Sequence, residues 1–381
     1  MGGIHMHAFA NEAARLESFG RSIDRIKRDV EARVGAEDLR RVRRLRWLSR
    51  TCEVIGRAAI HFSFEPIGFT AGVLALFVHK QLEATEIGHT ALHGAYDRFG
   101  KATGFHSSSF RWRVPIDEPS WRYGHNVRHH GNTNVAGKDP DIHFGPIRLT
   151  EHTPWRPTHR LQVPFALFIL FPNFGFLMNT HFTGVTDSWF GNGRGGMDFL
   201  ADRSFRTRLR AHWHALRKYI PYYAYEYLLF PILAGPFWWK VLLGNWLSEV
   251  LRDVYSAATI FCGHVGHDVA AYPEGDKASG RGAWYARQVE ASNDFEVNQV
   301  LSVLCGGLDR QIEHHLFPKL APERLRELAP LVRRACEEHG VRYNTASWPA
   351  TLKKAFAHIA ALSKEAPNTT TVLRGAMRVM S

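Results

Sequence analysis

Apolar positions in this chain come in blocks broken by charge. Residues 11–46 read as polar helix with scattered Leu, Ile and Val, expected to lie outside any core. From Trp47 to Phe64 the chain turns more apolar but carries Arg50, Glu53 and Arg57; after Pro66, the stretch from Ile67 to Gly94 is apolar in its first half and polar in its second. The pattern predicts a hairpin over about 47–88 that turns near Pro66, crosses a bilayer and brings its histidines out just past the interface. Further apolar blocks lie at 163–178, 221–239 and 241–263. Lys240 alone separates the last two, and Trp238 and Trp239 beside it fit an interfacial turn. Because the last block holds Glu249, Arg252 and Asp253 and the mean hydropathy is −0.25, a soluble helical bundle stays open on pattern alone. After residue 316 the chain is soluble in character, with Pro322 near a helix start and Gly340 at a C-cap.

Charge adds a direction. The 381 residues hold 48 Lys+Arg against 36 Asp+Glu, a balance that suits nucleic acid, an anionic membrane face or acidic substrates. Arg40, Arg41, Arg43, Arg44, Arg46 and Arg50 stand directly before the first apolar region, as a cytoplasmic flank would; a solvated helix face or a nucleic-acid patch is the alternative. Four cysteines without a CxxC pair indicate neither a disulfide scaffold nor a cysteine zinc site, and reduced thiols are expected. The first thirty residues lack the apolar core of a cleaved secretory signal.

Histidine is the anomaly, with 22 in the chain. His89 and His93 stand four apart on one helix face; His125 and His129 repeat that spacing, with His130 turned toward a different neighbour. Gln311 precedes His314 and His315 by three and four positions, and His264 and His267 close the last apolar block. A zinc takes three or four protein ligands and a haem at most two, so these histidines fit two metals better than one. Imidazole suits iron, zinc and copper alike. Glu86, Asp139, Asp141, Asp268 and Glu313 flank the clusters without a spacing of their own, which suits acceptors for the outer ring N–H groups. His106 and His143 read as structural. One metal site needs every cluster on the same side of the membrane. Blocks 221–239 and 241–263 supply two crossings, so 163–178 is expected along the interface or in an apolar cleft.

"EIGHTALHG", "HNVRHHGNTNVAGKDPDI" and "CGGLDRQIEHHLFP" resemble, in order, the three histidine boxes of membrane fatty acid desaturases. "FCGH", "WYARQVEASNDF" and "CEEHGVRYNTASW" look like connecting segments of the actinobacterial acyl desaturases, so the resemblance covers roughly 47–348. It implies an all-α integral membrane fold of helical hairpins, about four transmembrane helices, carrying a cytoplasmic helical cap. Residues 1–46 would be a basic cytoplasmic helix, 47–348 the desaturase domain and 349–381 a tail. Two irons would be bound by His89, His93, His125, His129, His130, His314 and His315, with His264 as a further ligand. Gln311 would be a weak or water-mediated ligand, and His267 has no firm counterpart. The implied reaction is O2-dependent insertion of a cis double bond into an acyl-CoA or acyl-lipid, with no nucleic-acid partner. No cytochrome b5 haem motif (HPGG) occurs, so electrons are expected from a separate ferredoxin or iron–sulfur flavin reductase. Asp309–Arg310 departs from the less charged pair common in the family, which leaves regiochemistry open. A hydroxylase on the same scaffold, a non-catalytic membrane metal-binding protein and a soluble two-zinc hydrolase are the other readings of these residues.

Overall fold

The first helix, α1 (Gly2–Glu31), overturns one expectation. Phe19, Ile23 and Val30 are completely buried against Tyr285, Leu328 and Val332, so this polar-looking stretch belongs to the core. Its apolar residues recur three and four apart and form a single narrow stripe, which average polarity conceals. The computed structural model describes residues 2–190, 200 and 202–365. After a break at 32–35 the arginine-rich stretch opens α2 (Ala36–Phe62), where the Gly35 N–H donates to Asp38.

α2 and α3 (Pro66–Leu82) form the expected hairpin. Glu65 accepts from the backbone N–H groups of Ile67 and Gly68, capping the start of α3. Gly56 and Gly72 let the two backbones touch: a Cβ on Gly56 would lie 2.7 Å from the Leu76 nitrogen. A second hairpin pairs α4 (Phe205–Ala224), prolonged through Leu233, with α5 (Trp238–His264), across a turn at Gly235–Phe237. At that turn Lys240 donates to the carbonyls of His61 and Ser63, both at 2.8 Å, and ties the ends of the two hairpins together.

Polarity in these hairpins is inverted. Val54, Ile67, Ile220, Ile232 and Trp246 are exposed, whereas Glu53, Arg57, Lys80, Glu226, Glu249, Arg252 and Asp253 are buried. The buried charges neutralise one another: Arg57 meets Glu226 at 2.7 Å, Lys80 meets Glu249 at 2.8 Å and Glu226 at 3.0 Å, and Arg252 meets Asp253 at 3.0 Å. Hydropathy averaged along the chain therefore understates how apolar the outer surface is.

Among the described residues one helical run, Pro157–Phe182, is long and apolar enough by composition to cross a membrane, with mean hydropathy 1.7. It is interrupted by a tight turn at Phe171–Asn173, which contains Pro172. Near its start Gln162 donates to the Ile359 carbonyl, and near its end Asn179 accepts from the Asp117 N–H and His181 bonds to the Pro140 carbonyl. Both ends thus meet the layer that carries the histidines, while Gly175 in the middle donates to Asp253 on α5.

That layer is completed by α6 (Arg281–Glu290), α7 (Gln311–Leu316), α8 (Pro322–His339) and α9 (Trp348–Leu362). A small parallel ladder joins β1 (Asp294–Glu296) to β2 (Thr345–Ser347) with Asp294 opposite Thr345. Gly340 ends α8 at φ 62°. The stretch expected to begin a tail is instead helix α9, with Ala355 and Ile359 fully buried; residues 366–381 lie outside the described ones.

Lys80→Met strands Glu226 and Glu249 in the interior and is expected to cost about 3–5 kcal/mol. Arg44→Met, at a side chain 76% exposed, is expected to be near neutral. Thermal unfolding of the two variants in detergent measures the contrast.

Candidate metal centre

The first box continues α3 through a wide, π-type turn, Glu83–His89. Such a turn frees backbone carbonyls, and here the Trp112 indole N–H donates to those of Glu83 (3.0 Å) and Ala84 (3.2 Å). Gly88 makes room for it, since a Cβ there would lie 2.1 Å from the indole nitrogen. The second box sits on another wide turn, Arg122–His129, entered from a short helix capped by Asp117. The His130 N–H reaches the His125 carbonyl at 3.1 Å, five residues back. On an ordinary helix His130 would face away from His125. The wide turn brings both to one side, which spacing alone did not reveal.

The third box, α7, is held at its start by Asp294, which accepts from the Ile312 N–H at 3.0 Å and from the Tyr343 hydroxyl at 2.6 Å. Gly306 and Gly307, at φ 69° and 77°, lead into it. A Cβ on Gly306 would lie 2.6 Å from the Glu86 nitrogen, so this turn packs directly on the first box. His264 arrives at the end of α5.

Four stretches of chain thus deliver two adjacent groups of buried imidazoles. His89, His93, His125 and His314 form one, and His129, His264 and His315 the other; within each, the ligand nitrogens lie within 4.8 Å of one another. Asp141 joins His125 and His129 in an overlapping third set. His130 stands between the groups, its ring 4.8 Å from that of His93 and stacked 4.4 Å from that of His315. The Nε2 atoms of His89 and His93 are 3.2 Å apart, and His315 Nε2 is 3.3 Å from those of both His129 and His264. Burial depresses the ring of His89 to about 3 and holds His93, His125, His130, His314 and His315 well below the ordinary histidine range. These six rings are uncharged at neutral pH. His125 Nε2, His314 Nε2 and both nitrogens of His130 have no protein hydrogen-bond partner, as expected of lone pairs aimed at a cation.

The outer nitrogens are held in turn. Burial alone would lower His129, but Asp139 and Asp141 overcome it and lift it to about 9. Asp139 accepts from His129 Nδ1 at 2.9 Å and also from the backbone N–H groups of Asn134 and Asp141. His125 Nδ1 lies 3.3 Å from Asp141. Two residues that spacing did not single out hold His315 Nδ1: Gln288 and Thr133, each at 3.1 Å. Their partner is distant in sequence, so no local signal marks them. Trp121, also unremarked by pattern, stacks on His125 at 4.5 Å.

The other expected acids turn away from the imidazoles. Glu86 pairs with Arg326, Glu313 accepts from Tyr343, and Asp268 pairs with Lys354. Gln311 Nε2 lies 2.7 Å from His264 Nε2, beside the second group. His267 is exposed and belongs to neither group. His143 accepts from the Gly137 N–H and His106 faces Asp97, both away from the centre.

A cavity starts at His89, His125, His264 and Gln311 and follows α5 past Ile260 and Ser256 to Arg252 and Asp253, walled by Trp112, Trp121, Phe174 and Met178. From His264 to Arg252 the helix rises about 18 Å, so the cavity is a long slot with the imidazoles at its head.

The sequence model of the fatty acid desaturase family matches residues 66–347, which include all eight clustered histidines. The chain belongs to the fatty acid desaturase family. It is accordingly an oxidoreductase, and its histidine groups are those of a desaturase. The chain is 32% identical over 356 residues to the NADPH-dependent stearoyl-CoA 9-desaturase of Mycobacterium tuberculosis, covering 92% of this chain and 80% of that one. It is 24% identical to the sn-1 linoleoyl-lipid 6-desaturase of Arthrospira platensis over 268 residues, 68% of this chain and 67% of the other. The acyl-lipid (8-3)-desaturase of Physcomitrium patens is 28% identical over 290 residues, 74% and 58% of the respective chains.

Asp139→Asn removes the charge that orients His129 and is expected to weaken metal binding by about 10–100-fold. Glu86→Gln, which faces Arg326 instead of an imidazole, is expected to leave affinity within a few-fold of wild type. Competition with a graded series of chelators reads both.

Proposed function

We propose that this desaturase inserts a cis double bond into the acyl chain of an acyl-CoA or acyl-lipid at a di-iron centre held by the eight imidazoles. The carrying observation is the position of two adjacent groups of buried histidines at the head of a long, mostly apolar slot. A bound pair of irons supplies the reduction of O2 and the oxidising power needed to take hydrogen from an unactivated methylene.

The protein's own share is positional. His89, His93, His125 and His314 serve one iron, His129, His264 and His315 the other, with His130 between them and Gln311 at the edge of the second. Asp139, Asp141, Gln288 and Thr133 fix the ring orientations. Trp112, Trp121, Phe174 and Met178 keep the slot dry and narrow, so that the depth to which the chain enters selects the carbons that face the metals. Relatives named for the 9 and for the 6 position are both similar to this chain, which supports reading that choice in the shape of the slot.

In this reading the two hairpins cross the membrane four times, since their exposed faces are apolar and their charges are internally paired. The run Pro157–Phe182 enters the bilayer and returns to the side it came from. Arg40–Arg50 and the histidine boxes share the cytoplasmic side, where a separate ferredoxin or iron–sulfur flavin reductase supplies electrons.

Expression in a bacterial host, with double bonds located by mass spectrometry, tests this proposal. Wild type is expected to hold two irons per chain and to yield a new unsaturated acyl species. His314→Ala is expected to yield none and to lose iron from the first group. A hydroxylated product would assign the same scaffold to the other reaction, and an iron-free wild type would refute the centre.

A further inference from the structure

Two openings reach His264. One is the slot already described. The other descends from the cap surface between α9 and the loop at 149–151, with Glu151 and His267 exposed at its mouth, His358 half-buried on its wall and Asn134 and His264 buried at its end.

Two polar atoms on this cleft have no protein partner. His264 turns Nε2 toward His315 and Gln311, and its other ring nitrogen, Nδ1, is buried and unpaired. The corresponding nitrogens of His129 and His315 are held by Asp139 and by Gln288 with Thr133. A metal-bound imidazole gives its outer N–H to a carboxylate, a carbonyl or water, and here only the third is left. Asn134 is the second. Its backbone adopts φ 55°, the one non-glycine residue with positive φ among those described. Asp139 holds its N–H and the carbonyls of Ala270 and Ala291 hold its side-chain nitrogen, yet its Oδ1 is buried and unpaired. Buried polar atoms without protein partners in a roomy polar cleft are where ordered water resides.

The reaction needs such a passage. For each double bond, –CH2–CH2– plus O2, two electrons from the protein donor and two protons give –CH=CH– and two waters. In the proposed reaction the acyl chain occupies the mostly apolar slot, so protons and water need another route. We propose that the cleft between His267 and His264 is a water-filled passage that brings protons to the buried centre and carries product water away, with one water completing His264 Nδ1. Asn134 and His358 line it, and Glu151 and His267 stand at its entrance. His267, left outside both histidine groups, thereby acquires a role.

The inference rests on the proposed desaturation, and two readouts separate their failures. A high-resolution structure of the metal-loaded wild type is expected to show water hydrogen-bonded to His264 Nδ1 and a further water in the cleft at Asn134 Oδ1. A dry cleft overturns the inference whatever the activity. Ala361→Trp and, independently, His267→Trp place bulk at the mouth. Each is expected to retain wild-type iron while turnover falls several-fold, the solvent deuterium isotope effect grows and a larger share of reduced oxygen escapes as peroxide. Leu331→Trp, on an exposed face of α8, controls for added bulk. Unchanged turnover and isotope effect in both plugged variants would sink the passage. If wild type forms no unsaturated product, the desaturase proposal fails while the water positions still decide the cleft.

Discussion

Imidazole nitrogens confront one another at 3.2 Å within the first box and at 3.3 Å between distant segments, with no room for water between them. Two such nitrogens repel wherever both present lone pairs. Taking up protons would relieve them in water, but burial makes the charged form too costly for seven of the eight rings, or leaves it to His129 alone beside its two carboxylates. The proposed pair of irons would resolve this constraint, and much of the cap can be understood as the scaffold that resists it. Trp112 holds the first box, Asp139 the second and Asp294 the third, each through hydrogen bonds to buried backbone or ring groups.

The hairpins answer a related constraint with opposite placement. In the proposed membrane arrangement a charge facing lipid would have no partner and no water; the helices turn Arg57, Lys80, Glu226, Glu249 and Arg252 toward each other and show Val, Ile and Trp outward. Part of the same pairing fixes how the hairpins sit together, because Arg57–Glu226, Lys80–Glu226 and Lys80–Glu249 link helices distant in sequence. Gly56 and Gly72 then allow the backbones of one hairpin to close to contact.

This polarity explains which features could be read in the sequence. The histidine clusters were legible because their ligands lie within a few residues of one another, and the two hairpins because Pro66 and Lys240 mark their turns. The core role of α1 was hidden: one buried stripe, Phe19 to Val30, is diluted by charge on every other face. Gln288 and Thr133 were hidden because what makes them matter is a ring more than twenty residues away. The helix Trp348–Leu362 lies past the last motif, and its packing shows only where Phe171 meets Phe356. Turn width was hidden most completely, since the same letters fit either helical geometry.

The wide turn at the second box differs from an ordinary helical turn by a single residue. On an ordinary helix of the same length His130 would lie about 140° around from His125, so it is the extra residue taken up by the wide turn that keeps both rings on one side. The second box thereby gives up the regular helical hydrogen-bond pattern over one turn, and the ring it gains by doing so is the one that stands between the two groups.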